Sequence, residues 1–145
     1  MTGRQGALVV EESATVDVPI DRAWHAIIDS AARSAWWSYL SLEAEPGGRF
    51  EERWTDEDGR PKRTRGSVLA LVPPELLRLS WADDDWPGTT EVEVRLHRTG
   101  GATTIQVRQR GWEGLDDGEA LAEEHRAGWK MHLANLRNYL RAESL

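Results

Sequence analysis

From Arg49 to Trp112 the sequence repeats one pattern, short alternating runs broken by turn residues, and from Gly118 to Arg141 it switches to a helical period. That order restricts the fold more than any other feature. Phe50, Glu52 and Trp54 share a strand face that ends in the turn Asp56–Gly59, and Thr64, Gly66, Val68, Ala70 and Val72 alternate in a second strand that stops at Pro73-Pro74. Leu77, Leu79 and Trp81 alternate in a third, before an acidic loop from Asp83 to Trp86. Val92, Val94 and Leu96, then Ile105, Val107 and Gln109, form two more on either side of Gly100-Gly101. Successive strands joined by short turns make an antiparallel meander.

Upstream, the Val-rich run 8–18 predicts a first strand. Ile20, Ala23, Trp24, Ile27 and Ile28 follow Pro19 at the spacing of a short amphipathic helix ending near Asp29, and Ala31–Trp37 predicts a further turn or two. Downstream, Leu121, Gly128, Trp129, Leu133, Leu136, Tyr139 and Leu140, with His125 and His132 on the same side, predict one helix of about 24 residues, roughly 36 Å long. The expectation is an α+β domain, residues 1–145 as a single unit, in which only the last helix is long enough to cover the sheet.

Composition narrows the partners. A net charge of −7 opposes binding to phosphate backbones or anionic lipid, so neither nucleic acid nor membrane is expected. With no Cys, disulfides, thiol catalysis and Cys-based zinc sites are out. The start, MTGRQGALVVEES, carries no apolar stretch of leader length, and a cytoplasmic location is expected. Eight Trp against one Phe and two Tyr suggest a wide core or the wall of a ligand cavity, since each indole is a large apolar body with one N–H that needs a partner.

The order of elements resembles the Bet v 1-like, START-related (SRPBCC) superfamily, and within it the Aha1-like family, the homologues of the activator of Hsp90 ATPase. The matching pieces are VDVPIDRAWHAIID, ARSAWW, EPGGRFEERW, GSVLALVPPELLRLSW, TEVEVRL, TTIQVRQRGW and HRAGWKMHLANLRNYL, spanning nearly the whole chain. The resemblance implies a helix-grip fold: a curved antiparallel sheet wrapped around the carboxy-terminal helix, with a cavity between them that in many relatives accepts an apolar small molecule. Function does not follow from such a fold, so the site must be argued from residues.

In this arrangement Phe50, Trp54, Trp81, Gln109 and Trp112 of the sheet, with His125, Gly128, Trp129 and His132 of the helix, are expected to line the cavity. Trp24 and Trp129 read as core, whereas Trp36, Trp37, Trp54, Trp81 and Trp112 fall near loop junctions, where a pocket mouth would be. Gly128 in a helix interior costs about 1 kcal/mol relative to Ala, which suggests close packing against the sheet or a ligand. His125 and His132 lie about 10.5 Å apart along the helix, too far for one metal ion, so no metal and no cofactor are assigned. His132 is the one candidate general acid or base, while His25 and His97 read as exposed. Glu12 and Glu52 face inward by alternation, with Arg108 or Arg110 as candidate partners, and the basic run from Arg60 to Arg65 reads as a solvated hairpin.

No nucleophile elbow, phosphate loop or dinucleotide turn is present. Three readings follow: a binding protein for an apolar or aromatic small molecule, a regulator of an Hsp90-type chaperone ATPase as the family name implies, and a polyketide cyclase-like enzyme acting in the same cavity. Against the second, the eukaryotic co-chaperones carry a further amino-terminal domain, for which no room is expected here. Indoles near the loops suggest a homodimer patch.

Overall fold

A computed structural model describes residues 8–143. Residues 1–7, the start of the stretch read as carrying no leader, lie outside them.

Strand β1 (Val9–Val16) leads through Pro19 into α1 (Ile20–Ile28) and α2 (Ser30–Ser34). The predicted stripe of α1 is the face it buries: Ile20, Ala23, Trp24 and Ile27. Asp29 ends one helix, its backbone N–H donating to the His25 carbonyl, and starts the next, its carboxylate accepting from the Ala32 N–H at 2.9 Å. Arg33, nearly fully buried, donates to the carbonyls of Ile27 and Ile28 and so closes the free end of α1. The chain continues as β2 (Leu40–Leu42), β3 (Arg49–Thr55), β4 (Pro61–Val72), β5 (Leu76–Asp83), β6 (Thr90–Thr99) and β7 (Ala102–Arg110), followed by a short 3-10 turn and α3 (Gly118–Glu143).

The strands form a seven-stranded sheet in the order β1-β7-β6-β5-β4-β3-β2, with antiparallel pairing throughout. Its inner face carries Phe50, Val68, Leu77, Leu79, Trp81, Val92, Val94, Leu96, Ile105 and Val107, all buried as alternation requires. Helix α3 lies across that face and buries Ala122, Trp129, Leu133, Leu136 and Leu140. This is the helix-grip architecture.

Two expectations are corrected by register. In β4 the pairing with β5 slips by one residue between Val68 and Ala70, so Leu71 turns to the core and Val72, expected on the Val68 face, is exposed. Glu12 meets Arg126 of α3 at 3.8 Å, while Arg108 lies on the outer face at 2.9 Å from Glu11. Gly66 is fixed by contact: opposite β5, an added Cβ would enter the backbone carbonyl of Ser80.

Candidate functional site

The site begins as a row across the sheet. Glu52 of β3 pairs with Thr64 of β4, and Thr64 pairs with Asp83 of β5, so the three sit at one level on neighbouring strands, the outer two about 10 Å apart by strand spacing. Facing the row, α3 presents Glu124, His125, Gly128 and His132. Between them is an open cleft of about 280 Å³ whose apolar walls are the indoles of Trp54, Trp81 and Trp129. Gly128 has nothing within 4 Å of where a Cβ would stand. Its missing side chain opens the cleft, which corrects the expectation of tight helix-on-sheet packing at that residue.

Hydrogen bonds fix the walls. The Trp54 indole N–H donates to Thr64 Oγ1 at 3.0 Å, and the Thr64 hydroxyl donates to Asp83 Oδ1 at 2.6 Å. The Trp37 N–H donates to Glu52 Oε2 at 2.8 Å. Burial pushes both carboxyls above their ordinary range in spite of these bonds, and for Glu52 the charge of Asp83 adds to the effect. His125 has both ring nitrogens engaged: Nδ1 donates to the Leu121 carbonyl at 2.9 Å, leaving Nε2 to accept from the Trp81 N–H at 3.3 Å. His132 differs. Its ring stacks on Trp37 with centroids 3.7 Å apart, its buried Nδ1 has no partner, and burial lowers its pKa to about 4, so it is neutral at pH 7.

Behind the cleft the interior is closed. Where the fold leaves room between sheet and helix, only about 50 Å³ remains among Trp37, Phe50, Trp81, Trp129 and their aliphatic neighbours, far below the roughly 300–1,000 Å³ of ordinary ligand pockets. A wider depression of about 850 Å³ at the β3–β4 hairpin includes Tyr39, Arg53 and Lys62. Its charges are already matched, Arg53 with Glu51, Lys62 with Asp85, and Arg63 with Asp84.

Of the residues expected at a cavity, Trp54, Trp81, His125, Gly128, Trp129 and His132 meet at the cleft. Phe50, Gln109 and Trp112 do not. Phe50 stacks on Trp81 in the core, and Gln109 and Trp112 are both 0% exposed. Gln109 is a strut: Trp129 Nε1 donates to its Oε1 and its Nε2 donates to Thr90 Oγ1, both at 2.8 Å. Trp37, Trp81 and Trp112, read as mouth residues, are buried: Trp81 by the inward phase of β5, Trp112 in the 3-10 turn, and Trp37, from the loop before β2, against Trp129 and His132; only Trp54, at 36%, is an exposed indole among the described residues. A dimer patch of several exposed indoles is therefore not present in them.

Thr64, Asp83 and Glu124 were not expected at the site. Asp83 was legible as the next inward position after Leu77, Leu79 and Trp81, although its neighbours Asp84 and Asp85 disguise it as a loop tip. Those two instead hold the Lys62–Arg65 strand segment, which is ion-paired and not simply solvated.

Among the described residues no helix is long and apolar enough to cross a membrane. Solved structures share the fold. CalU16 from Micromonospora echinospora aligns with a TM-score of 0.75 at 24% identity over 94% of this chain and 78% of its own. DynU16, from the dynemicin biosynthetic locus, aligns with a TM-score of 0.77 at 22% identity over 92% of this chain, which spans 47% of that protein. Protein CV1439 from Chromobacterium violaceum aligns with a TM-score of 0.75 at 22% identity over 91% and 96%. No curated protein matches the sequence. The family described as Activator of Hsp90 ATPase homolog 1-like protein matches residues 17–141, from the end of β1 to the last turns of α3, and the chain belongs to that family.

Proposed function

We propose that the protein binds a small molecule in the cleft between α3 and the β3–β5 end of the sheet, its apolar or aromatic body against Trp54, Trp81 and Trp129. The observation that carries this is Gly128: the one helix position facing the row of Glu52, Thr64 and Asp83 without a side chain opens on unfilled space. A helix interior favours Ala there by about 1 kcal/mol, so the glycine maintains a void at the expense of stability. The reading takes residues 1–145 as one domain and moves the ligand from the closed interior to the rim.

The test is Gly128→Leu. The larger side chain enters open space, so the variant should melt no lower than the parent, while the affinity for any ligand carried through gentle purification, read by native mass spectrometry, should fall by about tenfold or more. A variant that keeps its ligand would refute the site.

A second reading, a cyclase-like enzyme in the same cleft, is favoured by one observation. His132, unprotonated at pH 7, and two carboxyls held above their ordinary range sit around one space, so a proton acceptor and candidate proton donors face the same guest. It predicts that His132→Ala retains ligand but returns it chemically unchanged.

A further inference from the structure

The cleft is unbalanced in charge. Its polar wall carries Glu52, Asp83 and Glu124, and neither Lys nor Arg lines it. Of the nearest basic side chains of β4, Arg63 and Arg65 lie on the other face of the sheet and pair with Asp84, while Lys62, on the Thr64 face, lies outside the cleft lining and is engaged by Asp85. Among the described residues neither Glu52 nor Asp83 is ion-paired with Lys or Arg, and each is held by a neutral donor, Trp37 and Thr64 respectively. A partly buried carboxylate without a cation is held at a penalty that a cation entering the cleft would relieve.

The remaining walls fit the same guest. Indole faces attract cations through their quadrupoles, by up to about 2 kcal/mol when water is excluded, and Trp54, Trp81 and Trp129 border the same space. His132, the one ring with an unpartnered buried nitrogen there, is neutral and adds no repulsion. An anionic guest would meet three carboxylates. A neutral one would gain apolar contact and hydrogen bonds but no charge attraction.

We propose that the ligand of this cleft is an organic cation, a protonated or quaternary amine on an apolar body, with its charge between Glu52 and Asp83 and its body against the indoles. This rests on the reading of the cleft as the ligand site. The closing experiment separates the two by titrating the full chain, by intrinsic tryptophan emission and calorimetry, with benzyltrimethylammonium and its uncharged carbon isostere neopentylbenzene. The cation should bind about tenfold tighter or more, and added salt should weaken it while leaving the isostere unchanged. Glu52→Gln and Asp83→Asn should each remove most of that preference. Equal or tighter binding of the isostere would overturn the cation and leave the cleft standing. No binding of either, or binding that Gly128→Leu does not weaken, would overturn both. Should a carboxylate variant fail to fold, the isostere comparison and the salt dependence on the parent protein still decide.

Discussion

Gln109 holds Trp129 from across the core: the indole N–H of the helix residue donates to the carboxamide oxygen of the strand residue at 2.8 Å. The amide orientation is dictated by its other end, where Thr90 donates its hydroxyl to the Trp81 carbonyl and must accept from Gln109. One fully buried side chain thus fixes the Trp129 indole and, through Thr90, ties it to the backbone of Trp81. Gln109→Leu strands the Trp129 donor and should cost about 1–3 kcal/mol in urea unfolding, with ligand affinity falling as well. A loss below about 0.5 kcal/mol would mean that apolar packing alone sets the Trp129 position.

Glycine-to-alanine substitution should change sign between two positions. Gly66→Ala drives a Cβ into the Ser80 carbonyl and should destabilise by about 1–3 kcal/mol. Gly128→Ala adds a methyl to open space in a helix and should stabilise by about 1 kcal/mol. Paired thermal melts check both, and equal signs would contradict the geometry at one of the two.

Glu52 makes the protein sensitive to rising pH. Its folded carboxyl holds its proton above the range where the unfolded one releases it, so its contribution is complete below the unfolded value and is lost as pH climbs through the folded one. Glu52→Gln keeps an acceptor for the Trp37 N–H and removes the titration. Relative to the parent, the variant should therefore gain stability between pH 4.5 and pH 8, measured by denaturant unfolding. A pH-independent difference would show that burial does not penalise this charge.

His132 acts at the other end of the scale. The unfolded imidazole takes a proton near pH 6.5 and the folded one only at about 4, so stability falls as pH drops through that window, by up to about 3 kcal/mol. His132→Phe preserves a flat ring against Trp37 and should flatten this part of the profile. The change in unfolding free energy between pH 7 and pH 4, parent against variant, is the measurement.

Much of this was legible in the residues. The strand faces from Phe50 to Gln109 and the stripe of α1 follow from spacing alone, because burial on one face leaves a strand or helix one phase to choose. What sequence could not supply was depth. Trp81 and Trp112 lie next to loops in the sequence but are among the most buried side chains, and alternation says which way an indole points, not how far the opposing helix stands from it. The slip at Leu69 was invisible for a related reason: a one-residue bulge between apolar residues leaves the composition of the strand unchanged. Glu52 was expected to face inward, but its companion Asp83 was hidden by its acidic neighbours, and the contrast between one inward carboxylate and a pair is the contrast between a buried oddity and a site.

The slip in β4 carries a mechanical consequence. Val68 and Leu71 face inward on either side of it, so the strand keeps its inward face across the irregularity while bending there, and the extra residue, Leu69, stands 47% exposed on the outer surface. The rim segment from Pro61 to Val68 is thereby tilted relative to the segment that packs in the core. Leu69 is not among the residues that line the cleft, so removing it would change the register of the segment that carries Thr64 without replacing any side chain that a ligand would meet.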